Sequence, residues 1–108
     1  MGRDMITFFA GGRSLTAAIS CEIDHHTARG LRESIDKQLF LVKPEILILD
    51  FSNVRFMDSS GIALILGRVE TMSAFSGRVQ LKGLSMPLGK LIRLSGLDKV
   101  KNLSIMEN

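Results

Sequence analysis

The chain has 108 residues, a net charge of +3, 45% hydrophobic residues and a single cysteine. This length can bury one hydrophobic core, so we expect a single domain over residues 1–108. No apolar stretch approaches the roughly 20 residues of a membrane helix, and no signal peptide is recognisable, so the sequence predicts a soluble, cytoplasmic protein with no membrane partner. One cysteine excludes an internal disulfide and a cysteine-based metal cluster.

The positive charge is concentrated in the second half of the chain. Residues 1–54 carry six Lys and Arg against seven Asp and Glu, whereas residues 55–101 carry eight against three. A basic half suits nucleic acid, but the chain has no Trp or Tyr to stack on bases, and its cations are scattered singly. We therefore expect no direct nucleic-acid binding and interpret the basic half as a solvated face that suits an acidic partner.

The first half of the chain predicts a hairpin, a helix and a further strand. Gly11 and Gly12 favour a tight turn between an apolar run and an alternating run. Asp24 is a candidate N-cap for a helix whose apolar residues recur every three or four positions. The last apolar run is continuous, which predicts a central strand covered on both faces. The predicted strands are residues 5–10, 14–21 and 45–51, and the helix is residues 25–42.

The second half predicts two helices around a strand. The first of these helices contains an entirely apolar segment, residues 62–66, which we expect to be wedged into the core. Leu103 and Ile105 fit either a short strand or the end of a helix. The helices are predicted from within residues 59–61 to about 73 and from 85 to 94, and the strand at 78–83. This order predicts an α/β fold with a mixed sheet of about four to five strands and helices packed on it.

The sequence FMDSSGIALILG, residues 56–67, carries the most informative motif of the chain. Asp58-Ser59-Ser60-Gly61 follows a core strand and opens a helix, where unpaired backbone N–H groups and the positive end of the helix dipole favour an anion. One helix cap needs one hydroxyl. If Ser60 caps the helix, Ser59 is left for another task, and a phosphate on it would add about −1.5 to −2 charges. The residues alone leave open whether the motif only caps a helix or also acts as a switch.

Catalysis and metal binding are weaker interpretations of the polar residues. The serine motif is not Gly-x-Ser-x-Gly, and nothing in the sequence places His25 or His26 as a base beside Ser59. Neighbouring histidines on a helix point in different directions, and no third ligand has helical spacing to them. We therefore expect no enzymatic activity and no metal site.

Three residues near the serines are candidates for a contact surface. Asp24 closes a strand at what we expect to be the same edge of the sheet as the serine loop. Phe56 and Met57 lie in that loop, directly before the serine motif. Together they predict a rim around the serines that a partner can touch.

The motifs of this chain resemble the STAS domain of bacterial anti-sigma factor antagonists, and in particular the sporulation type that acts on sigma factor F. The likeness extends from about Met5 to Val100. It is carried by Asp24-His25-His26-Thr27-Ala28 and by Phe56-Met57-Asp58-Ser59-Ser60-Gly61. The resemblance implies a STAS-like fold in which the helices lie on one side of the mixed sheet.

The resemblance also implies a function and its residues. In that family the first serine of Asp-Ser-Ser-Gly is phosphorylated by a partner that is both an anti-sigma factor and an ATP-dependent serine protein kinase, which here implies Ser59. The unphosphorylated form would bind this partner and release a sigma factor. No cofactor is expected, because ATP and its metal ion belong to the kinase, and a serine/threonine phosphatase would reset the switch. The implied partner-binding residues are Asp24, Phe56, Met57, Asp58, Ser59, Ser60 and Gly61.

Two alternatives remain open from the sequence. One is an antagonist of the general-stress type with a different kinase, although the histidine pair favours the sporulation type. The other is a small-molecule binder that uses the backbone N–H groups of residues 59–61 as an anion site, as in STAS domains attached to transporters or sensors. The absence of a recognisable membrane span argues against the second alternative.

Overall fold

The computed structural model describes residues 5–106, so residues 1–4 and 107–108 of the expected domain lie outside the described range. Five strands, three α-helices and a short 3-10 helix follow one another in the described chain. The strands are β1 (Ile6–Gly11), β2 (Ser14–Ile19), β3 (Ile46–Asp50), β4 (Arg78–Lys82) and β5 (Leu103–Ile105). The α-helices are α1 (Ala28–Val42), α2 (Ser59–Ala74) and α3 (Met86–Ser95), and the 3-10 helix is Leu97–Lys99.

The strands form one mixed sheet in the order β1-β2-β3-β4-β5. The first two strands are an antiparallel hairpin that turns at Gly12, whose φ is +59°. The other neighbouring strands are parallel, and their register places Leu15, Leu47, Val79 and Leu103 in one row across the sheet. All four side chains are buried. This row marks the face of the sheet on which the hydrophobic core is built.

The helices lie on one side of the sheet, as the resemblance implied. Each of the three contributes buried side chains to the same core as the strands, for example Leu31, Ile65 and Ile92. On the opposite face, no strand residue within 5–106 is fully buried. The prediction that the third strand is covered on both faces is therefore wrong, and Ile46 and Ile48 are only half-buried because no helix packs over them.

The first helix begins later than the sequence suggested. Helix α1 starts at Ala28, and Thr27 occupies the N-cap position without a side-chain capping bond. The Asp24 side chain instead accepts hydrogen bonds from the backbone N–H groups of His26, at 2.9 Å, and Thr27, at 3.1 Å. Asp24 therefore closes a turn ahead of the helix, because its carboxylate binds N–H groups that precede the first helical residue.

Helix α2 is less deeply buried than its apolar sequence predicted. Leu64 and Ile65 are buried, but Leu66 remains 39% exposed, because α2 presents only one face to the sheet. Arg68, one turn further on, is buried at 5% exposure. The expectation that residues 62–66 are wedged wholly into the core is therefore wrong for its outer positions.

The end of the chain, which the sequence left open, is a strand. Strand β5 pairs in parallel with β4, with Leu103 beside Val79. The Asn102 side chain donates hydrogen bonds to the carbonyl groups of Val69, at 3.4 Å, and Gly77, at 3.2 Å. These contacts fix the start of β5 to the region where α2 leads into β4.

Candidate functional site

Two loops at the carboxyl end of the parallel strands form the candidate site. One connects β2 to α1 and the other connects β3 to α2. The backbone N–H of Ile23 donates to the carbonyl of Phe56 at 3.0 Å, and the N–H of Asp58 donates to the carbonyl of Ile23 at 3.1 Å. These bonds make a short parallel bridge between Ile23 and Met57. The bridge holds the Asp24 turn beside the start of the serine motif.

Asp58 caps helix α2. Its backbone is extended, and its carboxylate accepts a hydrogen bond from the N–H of Ser60 at 2.8 Å. The condition that Ser60 caps the helix is therefore not met, because the side chain of the preceding acid fills that place. Both serine hydroxyls are consequently released from capping, and the choice between Ser59 and Ser60 as a reactive residue depends on their exposure.

The two serines differ in accessibility. Ser59 is the first residue of α2 and is exposed, whereas Ser60 is half-buried at the edge of a groove between α1 and α2. An exposed hydroxyl at the first turn can be reached by another protein, and an anion placed there lies at the favourable end of the helix dipole. The geometry therefore favours Ser59 as the accessible hydroxyl.

Gly61 packs against the buried side chain of Met57 on the core side of the serine motif. A Cβ at Gly61 would overlap Cγ and Sδ of Met57, whose side chain is 6% exposed. This burial corrects the expectation that Met57 offers a contact surface, because the bridge with Ile23 turns its side chain into the core. Phe56, its neighbour, is 49% exposed and does belong to the surface around the serines.

Asp24 lies in a tightly hydrogen-bonded turn. The hydroxyl of Thr27 donates to the carbonyl of Glu22 at 2.7 Å and also accepts from the N–H of Asp24 at 3.1 Å. The hydrogen bond from the backbone of Thr27 is the main cause that lowers the pKa of the Asp24 carboxyl, and the N–H of His26 acts in the same direction. Asp24 is thus a fixed negative charge on the rim of the site.

The neighbouring histidines and cysteine complete this loop. The rings of His25 and His26 lie 4.0 Å apart and both residues are exposed. Within residues 5–106, no three His, Cys, Asp or Glu side chains are grouped closely enough to hold a metal ion. Cys21 is half-buried beyond the end of β2, and burial is the main cause that raises the pKa of its thiol, followed by the charges of Asp24 and Glu22.

The sequence prediction missed an ion pair between a buried arginine and a half-buried aspartate behind the site. Nε of Arg68 on α2 lies 2.9 Å from Oδ1 of Asp36 on α1. A signal was present, because Arg68 falls on the same helical face as Leu64, Ile65 and Met72, which are all buried. A cation within a helical stripe of core residues indicates a buried partner.

The chain is similar to proteins of one domain family. The family model of the STAS domain matches residues 12–105. The anti-sigma F factor antagonist of Paenibacillus polymyxa is 34% identical over 86 residues, which cover 80% of this chain and 74% of that protein. No helix within the described residues has the length and hydrophobicity to cross a membrane.

Solved structures agree with the family match. The anti-sigma factor antagonist SpoIIAA in its unphosphorylated form superposes with a TM-score of 0.79 at 28% identity, covering 95% of this chain and 89% of that one. The phosphorylated form of SpoIIAA, described as a Bacillus cell fate determinant, gives a TM-score of 0.71 at 28% identity, covering 95% and 92%. The sheet order, the one-sided helices and these matches lead to one assignment: the chain belongs to the STAS domain family.

Proposed function

We propose that this protein is an anti-sigma factor antagonist that is switched by phosphorylation of Ser59. The unphosphorylated form binds an anti-sigma factor that is also a serine kinase, and this binding frees a sigma factor. The observation that carries the proposal is the exposed Ser59 hydroxyl at the first residue of α2, directly after the Asp58 cap. The names of the curated relative and of the SpoIIAA structures support the same role.

The charge of the loops explains why a phosphate would end binding. Asp58 directly precedes Ser59, and the Ile23 bridge holds the Asp24 turn beside the same loop. A phosphoserine adds about −1.5 to −2 charges to this acidic rim. The helix dipole makes the dianion tolerable in the free protein, but pressing it into an interface without a matching cation costs several kcal/mol.

The partners follow from the proposed switch. The kinase supplies ATP and its metal ion, so this chain needs no cofactor and performs no catalysis of its own. A serine/threonine phosphatase removes the phosphate and restores binding. Sigma factors act together with RNA polymerase, and the proposed function therefore assigns the chain to the cytoplasm. The proposed contact surface comprises Asp24, Phe56 and residues 58–61, with the buried Met57 supporting it from within.

Mass spectrometry after incubation with ATP and a candidate kinase tests the proposal. A histidine-kinase-like ATPase encoded beside the gene of this protein is the first candidate. We expect one phosphate on Ser59 in the wild type and in Ser60→Ala, and none in Ser59→Ala. Stoichiometric phosphate on Ser60 in the Ser59→Ala protein would show that the assigned residue is wrong, and absence of binding to any such ATPase would remove the proposed role.

A further inference from the structure

A groove between the N-terminal halves of α1 and α2 adjoins, at Ser60, the proposed phosphorylation site. Its volume is about 460 Å³, a size typical of small-molecule sites. The small residues Ala28, Ala63 and Gly67 line part of it, and Arg29, Arg32 and Arg68 line it with positive charge. No acidic residue is among the lining residues. The groove therefore combines an apolar body with a cationic lining, which suits an organic anion.

Arg68 gives the groove a buried cation that is incompletely paired. Its side chain is 6% exposed, and its Nε is in ion-pair contact with Oδ1 of Asp36 at 2.9 Å. Nε is thus engaged by the Asp36 carboxylate, whereas the buried Nη1 has no hydrogen-bond partner among residues 5–106. A buried charged donor without an acceptor is costly, so an acceptor that enters from the groove would be favoured there.

The neighbouring arginines can also contribute to anion binding. Arg29 is held by Glu33 at 3.3 Å, but both side chains are largely exposed, at 80% and 63%. An exposed pair of this kind contributes little, so Arg29 can exchange its partner for a ligand at small cost. Arg32, one turn from Asp36, is exposed beside the groove. The cationic lining therefore extends from the buried end of the groove to its surface.

We propose that this groove binds a small organic carboxylate, with a carboxylate group at Arg68 and the body of the molecule between α1 and α2. A carboxylate is favoured because its two oxygens match the planar fork of a guanidinium group. A small molecule is favoured over a folded partner because Arg68 is nearly inaccessible from the outer surface. The groove meets the proposed contact surface only at Ser60, and the tests of this proposal need no kinase.

Titration of the ¹⁵N-labelled protein with glutarate tests this site. We expect saturable shifts of the amide signals of Ala63, Leu64 and Gly67, and no comparable shift at Ser76 or Gly77, which follow the C-terminal end of α2. Glutaramide, the neutral diamide of the same shape, is the matched control and should leave these signals unchanged. Sodium chloride at equal ionic strength controls for general screening.

Variants identify the cations that are responsible. We expect Arg68→Met to weaken glutarate binding by more than about tenfold and Arg32→Gln by about two- to fivefold, because the first removes a buried charge and the second an exposed one. Arg93→Gln, an exposed cation on α3, should bind like the wild type. If Arg68→Met fails to fold, Arg32→Gln and the glutaramide comparison decide the question.

Several outcomes would overturn the proposal. These are shifts that do not saturate, equal shifts with glutaramide or chloride, and unchanged binding in a folded Arg68→Met protein. Tighter binding of inorganic phosphate at the same amides would replace the carboxylate assignment with a phosphate site. Failure of any of these tests leaves phosphorylation of Ser59 unaffected, since that reaction is measured separately.

Discussion

Gly61 packs so closely against Met57 that no Cβ fits between them. Gly61→Ala therefore forces Met57 out of its position, and overpacking of this kind typically costs about 1–3 kcal/mol. Alanine recovers up to about 1 kcal/mol through its higher helix propensity. We expect a net loss of about 1 kcal/mol in the free energy of unfolding, measured by urea denaturation.

Gly30→Ala is the matched control for this prediction. Gly30 also lies in a helix, it is exposed, and an added Cβ there has no neighbour within 4 Å. We expect this variant to gain about 0.5–1 kcal/mol. If both variants change the free energy of unfolding by the same amount and sign, the Met57 side chain moves aside without cost. Its packing against Gly61 then does not constrain the serine motif.

Asp58→Ala should destabilise the protein through loss of the α2 cap. The lost bond is the one that the N–H of Ser60 donates to the carboxylate at 2.8 Å, and such losses cost about 0.5–2 kcal/mol. Asp58→Asn retains a capping oxygen and should lie close to the wild type in thermal melts. Ser85→Ala, which removes a longer capping bond of 3.4 Å from α3, should cost less than Asp58→Ala. The reverse order would show that Asp58 does not stabilise α2.

Ser59→Asp should preserve the fold but lose binding to the proposed kinase partner. A carboxylate at the first residue of α2 meets the positive end of the helix dipole, a favourable contribution of about 0.3–1 kcal/mol, so the melting temperature should barely change. An unpaired charge in the interface costs about 2–5 kcal/mol, or about thirtyfold to several thousandfold in affinity, and the lower end is expected because aspartate carries less charge than phosphate.

Ser59→Ala is the companion variant and should keep both fold and partner while resisting the switch. Thermal melts and titrations against the kinase with ADP separate the two effects. An Asp variant that melts many degrees lower would identify Ser59 as structural. An Asp variant that binds like the wild type would remove Ser59 from the contact surface.

Cys21 should react slowly and make stability depend on pH in the alkaline range. Burial and the charges of Asp24 and Glu22 raise the pKa of its thiol above the ordinary value of 9.0. The folded state therefore holds the proton more tightly than the unfolded state, and the resulting stability is present below pH 9.0 and lost as the pH rises through the folded pKa. The Cys21→Ser variant has no thiol to titrate, so its free energy of unfolding should not show this alkaline decrease. Thiol modification at the rate of the unfolded chain would contradict the prediction.

The sequence predicted most of the architecture because its signals are local. The alternation of apolar and polar residues identified β2, for example. The start of α1 could not be predicted from the sequence, because Asp24 has the chemistry of a cap and its bonds to His26 and Thr27 depend on the path of the loop. Sequence periodicity marked β3 as apolar throughout, but only the sheet topology reveals which side of it the helices cover.

The candidate site could also be predicted only in part, because the sequence carries its local motif but not its long-range contacts. The motif from Phe56 to Gly61 identified the serine loop, and the resemblance supplied Ser59. The inward position of Met57 and the pairing of Arg68 with Asp36 could be found only from three-dimensional contacts. Met57 lies 34 positions after its bridge partner Ile23, and Arg68 lies 32 positions after Asp36. Long-range partners of this kind leave only an indirect trace in a single sequence.

The bridge between Ile23 and Met57 joins the two loops, so that they should open together in a local unfolding event. The amide protons of Ile23 and Asp58 are both engaged in it, so neither can exchange with deuterium unless the bridge breaks. Their exchange rates should therefore match under conditions where opening limits exchange. A phosphoryl group that acts through charge alone leaves the two rates unchanged, whereas one that pulls the loops apart accelerates both together.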